Sequence, residues 1–275
     1  YLRPGPLQLG PLALHPWGIM VATGFLAGSL LAQHVARKRG LRPDVFWSLV
    51  ARLAVGAGVF GHLGYALTAA PAYYFSHPLE FLYVWDGLSS YGGFLGCAVI
   101  AIHYFRTEKL DVLKYADVLV VGVAAGWVFG RLGCFFAHDH IGRPLQTLPG
   151  WVGSSLGWLA VPFPDNAAGR GIPAALRLDL GLLDSLATAI VLIILLAAMR
   201  RPRRPGVLLG TGVILYSGVR FWSDFLRNVD LPSTDPRFAG YTPSQYLALV
   251  VIGLGALAIY MGRQRMPWPE PKPRR

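Results

Sequence analysis

The sequence predicts an all-α membrane protein of about seven transmembrane helices with a small extracytoplasmic cap. Three observations predict it. Hydrophobic residues make up 54% of the 275 residues and charged residues only 14%, against about 25% charged in an ordinary soluble domain. With a mean hydropathy of +0.46, the chain has too few charges to coat a globule in water. Seven apolar stretches are long enough to cross about 30 Å of hydrocarbon. The basic residues alternate between the loops that join them. The whole chain, 1–275, reads as a single polytopic membrane domain with no internal repeat.

The stretches run over 16–36, 47–69, 88–105, 115–136, 181–199, 206–226 and 243–261. The first has its basic cluster after the apolar run and no small-residue cleavage site, so it reads as a retained anchor and not as a cleaved signal. Arg37, Lys38, Arg39 and Arg42 follow the first stretch; Arg106, Lys109 and Lys114 follow the third. Arg200, Arg201, Arg203 and Arg204 follow the fifth, and Arg263, Arg265, Lys272, Arg274 and Arg275 end the chain. Residues 70–87 hold no Lys or Arg and carry Glu80 and Asp86. The positive-inside rule then puts the N-terminus outside and the C-terminus in the cytoplasm. It also accounts for the net charge of +11 without nucleic acid. Residues 138–180 lie outside as the cap, with Trp151 and Trp158 as interfacial aromatics. Cys97 falls mid-span and Cys134 at an outer helix end, so neither a disulfide nor a cysteine metal site is expected.

Charged groups inside a span cost a few kcal/mol, about 2.5–3.5 on insertion scales, so they face the protein interior and mark function. On this topology His62, Tyr91, Arg131, Arg220, Asp224 and Arg227 come from four spans to one depth, just below the outer surface. The i, i+4, i+7 spacing puts Arg220, Asp224 and Arg227 on one helix face. An excess of arginine there suits an anionic ligand, because guanidinium matches phosphate in a two-pronged fork. A phospholipid headgroup is the anion available in that leaflet. Gly92 and Gly93 beside Tyr91 let lipid or a neighbouring helix approach closely. Arg52 lies nearer the inner side and reads as snorkelling or locally paired. His138, Asp139 and His140 follow Arg131 at the mouth. Their spacing is poor for a metal and suits proton handling or hydrogen bonding; a plain surface loop is the alternative. G-x-S-x-G and H-E-x-x-H are absent, so serine and zinc hydrolases lack their local signatures.

Gly130-Arg131-Leu132-Gly133-Cys134-Phe135 through His138-Asp139-His140-Ile141-Gly142-Arg143 resembles the G-R-[LI]-G-N-F-x-N-x-E-x-x-G-R signature of the prolipoprotein diacylglyceryl transferase family. Trp85-Asp86-Gly87 with Ser90-Tyr91-Gly92-Gly93 resembles its W-D-G…H-G-G segment. Tyr216, Arg220, Asp224, Phe225 and Arg227 resemble its Y-x-x-x-R-x-x-x-E-F-x-R helix. Trp17-Gly18, Gly61-His62-Leu63-Gly64-Tyr65 and the Asp184 region resemble further family segments. Three positions depart: the family's proton-accepting histidine is Tyr91 here, an asparagine is Cys134, and an arginine is His62.

The resemblance implies a seven-span enzyme of the bacterial cytoplasmic (inner) membrane that moves diacylglyceryl from phosphatidylglycerol to the lipobox cysteine thiol of a preprolipoprotein. Its partners are then phosphatidylglycerol, the lipobox peptide and membrane lipids, and it needs no metal and no cofactor. Arg131 and Arg220 hold the phosphate and stabilise the leaving group, helped by Arg227, Gly92, Gly93 and His62. Asp224 orients the arginines. His140 or His138 takes the thiol proton, Tyr91 being a poor base at an ordinary tyrosine pKa near 10. Two alternatives stay open: a transferase with another acceptor, and a non-catalytic phospholipid binder or lipid transporter.

Overall fold

A computed structural model describes residues 1–267 except 11, 85, 168–170, 202 and 232–233, together with all but the side chains of Leu9 and Leu12. Trp85 of the W-D-G segment and the terminal basic residues Lys272, Arg274 and Arg275 lie outside the described residues.

Each of the seven expected stretches forms a helix: α1 (Pro16–Lys38), α2 (Asp44–Thr68), α4 (Ser90–Thr107), α5 (Val112–Ala137), α7 (Leu180–Ala198), α8 (Val207–Ser223) and α9 (Pro243–Arg263), with a short α3 (Pro71–Ser76) between α2 and α4. Five of them, α1, α2, α5, α7 and α9, are long and apolar enough to cross a membrane. Their exposed faces carry large apolar residues such as Leu26, Val55, Ile193 and Val250, as lipid-facing helices must. One expectation about α8 is corrected. The α-helix ends at Ser223, and Asp224–Leu226 tighten into a 3-10 turn. Arg220 and Asp224 therefore stay one helical turn apart, while Arg227 lies beyond the helix.

Residues 138–180 contain a small sheet. Strands β3 (Ile141–Pro144), β4 (Ala160–Phe163) and β5 (Ala175–Asp179) pair antiparallel in the order β3-β5-β4, with the short helix α6 (Gly150–Leu156) between β3 and β4. A second hairpin joins β1 (Leu7–Leu9) to β2 (Leu12–Leu14). Strands of three to five residues are too short for an alternating pattern to stand out, and so the all-α expectation contained neither.

Contacts divide the chain into two compact units: residues 1–31 with 117–275, and residues 32–116. In the first unit α1 and α5 touch through glycines. A Cβ on Gly24 would lie 2.5 Å from the Gly126 carbonyl oxygen, and one on Gly28 2.5 Å from that of Gly122, so small residues set this crossing. The buried Asp117 of α5 accepts hydrogen bonds from Gly206 N at 2.8 Å and Leu209 N at 2.7 Å. It thus caps α8, a carboxylate being stabilising at a helix N-terminus. Helix α9 starts with a capping box between Thr242 and Gln245.

The sheet is tied down by charge. Arg177, 1% exposed, grips Asp230 with both terminal nitrogens, at 3.1 and 2.6 Å. The Arg177 hydrogen bond holds the Asp230 carboxyl below the usual carboxylate range. A depressed folded pKa contributes stability that is full above the unfolded value of about 3.9 and is lost as pH falls through the folded value. We therefore expect Asp230→Asn to be less stable than wild type at pH 7 and to lose less on acidification below about pH 4. Melting curves of the detergent-purified protein from pH 7 to 3 check this; parallel losses in the two proteins would refute it.

In the second unit α2 and α4 cross where a Cβ on Gly92 would sit 2.2 Å from the Phe60 carbonyl oxygen and 2.9 Å from Gly64 Cα. Ser89 caps α4 by accepting from Gly92 N.

Candidate active site

The first unit holds a cluster of arginines and carboxylates assembled from α5, α7 and α8. Arg131 comes from the end of α5, Asp184 from the first turns of α7, and Arg220 with Asp224 from the end of α8. Asp184, wholly buried, joins the two arginines: its Oδ2 accepts from Arg220 Nη1 at 3.0 Å and lies 3.5 Å from Arg131 Nε. Asp224, equally buried, accepts from Arg220 Nη2 at 3.1 Å and from the Thr242 hydroxyl, and lies 3.8 Å from Arg227 Nη1. Arg227 also pairs with the half-exposed Asp235 at 2.7 Å.

Arg131 is held from three further sides. Its Nη2 donates to the Tyr216 hydroxyl at 3.3 Å, its guanidinium lies over the Trp127 ring at 4.7 Å, and Nη1 donates to His140 Nε2 at 3.0 Å. Trp127 Nε1 donates to the same Tyr216 hydroxyl at 2.6 Å. Fixed guanidiniums of this kind are preorganised donors for charge that develops during a reaction. Arg131 and Arg220 each spend two terminal nitrogens on these bonds. A guanidinium carries five N–H groups, so donors remain for an anion.

The two histidines that follow differ sharply. Arginine has no lone pair, so His140 Nε2 is the acceptor and its Nδ1 carries the hydrogen, directed at Asp139. Burial works to raise the Asp139 carboxyl, but the hydrogen bond and charge of His140, with the charge of Arg131, hold it below the usual range. Asp139, His140 and Arg131 thus form a relay with a set tautomer. His138 turns inward on a left-handed backbone, φ 48°. It is 1% exposed, with Nδ1 2.6 Å from Asp179 and Nε2 3.0 Å from the Leu2 carbonyl. Both nitrogens face acceptors, and Asp179 also caps α7 through Gly181 N and Leu182 N. His138 locks the junction of β5 and α7.

Tyr91, Gly92, Gly93 and His62 belong to the second unit. Tyr91 is half exposed in the first turn of α4. Gly92 is the point of contact between α2 and α4, with Gly93 facing Ala57. His62, wholly buried, donates from Nδ1 to the Asp86 carbonyl at 2.7 Å. This ties α2 to the turn at Gly87, where φ is +73° and a Cβ would meet the Tyr65 ring at 2.3 Å.

Asp184, Tyr216 and Thr242 are members of this cluster to which the sequence alone assigns no role. Asp184 carried a usable signal, a single carboxylate inside the apolar helix α7. Tyr216 and Thr242 carried none, since hydroxyls in spans are common. Cys134, Asp139 and His140 bring one potential metal-ligand atom each within 4.8 Å; the Arg131 guanidinium on His140 opposes a cation there.

A family model described as prolipoprotein diacylglyceryl transferase matches residues 4–261. A protein of Janthinobacterium sp. (strain Marseille) is 31% identical over 96% of this chain and 97% of its own length. One of Geobacter sulfurreducens is 31% identical over 84% of each chain, and one of Bartonella bacilliformis is 28% identical over 94% of this chain and 92% of its own. All three carry the name phosphatidylglycerol–prolipoprotein diacylglyceryl transferase. With the arginine pair on α5 and α8 at the motifs expected of that family, the chain belongs to the prolipoprotein diacylglyceryl transferases.

Proposed function

We infer that this protein is a transferase of the inner membrane that moves diacylglyceryl from phosphatidylglycerol to a prolipoprotein, in lipoprotein biosynthesis. The observation that carries the site assignment is the convergence of Arg131 and Arg220 on the buried Asp184. That arrangement holds two guanidiniums still with donors to spare, as a phosphodiester needs.

The acceptor is the lipobox cysteine of the peptide. Its sulfur attacks the glyceryl carbon that bears the phosphate. A thioether C–S bond forms, the C–O bond breaks, and glycerol phosphate leaves with the electron pair. Arg131 and Arg220 neutralise the leaving phosphate, with Arg227 at the rim; Asp184 and Asp224 keep the first two aligned. The thiolate is the nucleophile, so its proton must go to a base, and His140 Nε2 is the acceptor in the relay. A phosphate that draws the Arg131 N–H groups to itself releases that lone pair, so lipid binding readies the base. No cofactor has a part in these steps. Seven spans in one polytopic domain, N-terminus outside and C-terminus cytoplasmic, put this site near the outer surface, with 138–180 as its cap.

The test of function is purified protein with labelled phosphatidylglycerol and a lipobox peptide, and the expected result is a thioether-linked product. Tyr91 at the place of the family's histidine favours one other reading, a phospholipid binder; lipid retention with no product would establish it. Topology is checked with single cysteines replacing Ser154 and Arg201 in a protein lacking Cys97 and Cys134. Only Ser154→Cys is expected to react with an impermeant reagent from outside, and labelling of Arg201→Cys there would overturn the orientation.

A further inference from the structure

Arg52 is a charge in the wrong place for packing. It lies on α2 eight residues past Asp44, about 12 Å along the axis, and its side chain is exposed on a membrane-spanning helix. Nη1 donates to the Ser48 carbonyl at 2.7 Å, and the guanidinium lies 4.6 Å from the Tyr104 ring centroid. Among the described residues no carboxylate lies within ion-pair distance of it. A guanidinium facing lipid without a counter-ion is costly, and the bond to Ser48 turns it toward the nearer end of α2, as snorkelling requires.

Two adjoining spaces meet at this side chain. One, ≈ 710 Å³, is an apolar groove walled by Val55, Val59, Phe60 and Ile100. The other, ≈ 410 Å³, runs from Arg52 past His103 and Thr107 to Glu108. Glu108 Oε2 accepts from Arg42 at 3.4 Å, and among the described residues its Oε1 has no hydrogen bond. From the middle of the helix to its end the order is hydrocarbon wall, cation, carboxylate. Acyl chain, phosphate and ammonium follow the same order in an amine-bearing phospholipid.

We propose that the α2–α4 face binds one amine-bearing phospholipid: an acyl chain in the groove of Val55, Val59 and Phe60, the phosphate on Arg52 and the ammonium toward Glu108. By charge complementarity a guanidinium takes the phosphate and a carboxylate selects the amine over a glycerol headgroup. On the topology proposed above this lipid sits in the inner leaflet. It is separate from the phosphatidylglycerol consumed at Arg131 and Arg220, and it needs no chemistry.

Native mass spectrometry of the protein with phosphatidylethanolamine or phosphatidylglycerol reads the site directly. Wild type is expected to retain one phosphatidylethanolamine that Arg52→Gln loses, with occupancy falling about tenfold or more, as for a lost charge-assisted hydrogen bond. Val59→Trp, which fills the groove and leaves the charge, is expected to lose it too. Glu108→Gln is expected to erase the preference for phosphatidylethanolamine over phosphatidylglycerol. Retention of the lipid in Arg131→Ala separates this site from the catalytic one, whatever becomes of the transfer reaction. Equal occupancy in wild type, Arg52→Gln and Val59→Trp overturns the site, and an unchanged preference in Glu108→Gln overturns the amine.

Discussion

Arg220→Ala is expected to abolish diacylglyceryl transfer and to lower the stability of the protein, whereas Arg131→Ala is expected to lose transfer with a much smaller loss of stability. The difference lies in what each deletion leaves behind. Arg220 is bonded to both Asp184 and Asp224, each wholly buried. Without it Asp184 keeps only the looser 3.5 Å contact with Arg131, and Asp224 keeps Arg227 at 3.8 Å and the Thr242 hydroxyl. Breaking a buried pair from one side typically costs about 3–5 kcal/mol, a large part of an ordinary domain's stability of about 5–15 kcal/mol. Arg131→Ala leaves Asp184 with its 3.0 Å partner; besides its contacts with Tyr216, His140 and Trp127, it removes, on the function proposed above, donors to the lipid phosphate. A charge-assisted hydrogen bond contributes about 1.5–3 kcal/mol, or about 10- to 150-fold in lipid affinity. Arg220→Lys keeps the charge but loses the fork, and should recover stability before activity. Lipid retention, melting temperature and product yield, measured together, check the pair. Wild-type lipid affinity in Arg131→Ala would remove that arginine from the phosphate site.

The parts of this molecule that a sequence could show are those where lipid dictates composition. A span must be a continuous apolar stretch because water cannot satisfy its backbone, so the stretches that form α1, α2, α4, α5, α7, α8 and α9 stand out, and five of these helices are long and apolar enough to cross. The same logic exposed Arg131, Arg220 and Asp224, since a charge in hydrocarbon is kept only for a reason. It applies equally to Asp184, which the family pattern absorbed without a role. Pairings across helices were not legible. Arg220 meets a carboxylate 36 residues away, and nothing in either helix specifies the other. The end of α8 is not legible, because apolarity continues through Phe225 and Leu226 after the backbone has tightened. The sheet stayed hidden for want of length, and the left-handed turn that sends His138 inward lies at a residue type that is only enriched in that conformation and does not specify it.

His140→Gln is expected to stop transfer while lipid binding persists, and His138→Gln is expected instead to destabilise the protein. Two neighbouring histidines of equal chemistry were equal candidates for the base until the fold separated them. His138 is locked between Asp179 and the Leu2 carbonyl, with both nitrogens engaged and no exposed edge. Its loss strips a partner from the carboxylate that caps α7, a structural cost. His140 keeps about a fifth of its side chain exposed, and Asp139 fixes its tautomer so that Nε2 presents the lone pair. Imidazole titrates near neutral pH and accepts a thiol proton without a large shift, and general bases of this kind contribute about 10²–10⁴-fold. Glutamine in its place can still accept from Arg131 through its side-chain oxygen, so the guanidinium should stay in position and phosphatidylglycerol retention should be preserved. Asp139→Asn is expected to give a partial loss, because the tautomer is no longer enforced. Tyr91→Phe is expected to have less effect than His140→Gln, and Tyr91→His, which restores the family's residue, to keep or raise the rate. The decisive comparison is product formed per bound lipid at pH 7 in the five variants and wild type. Full activity in His140→Gln would move the base elsewhere, and a fall in Tyr91→Phe as deep as in His140→Gln would give the tyrosine a direct share in the proton transfer.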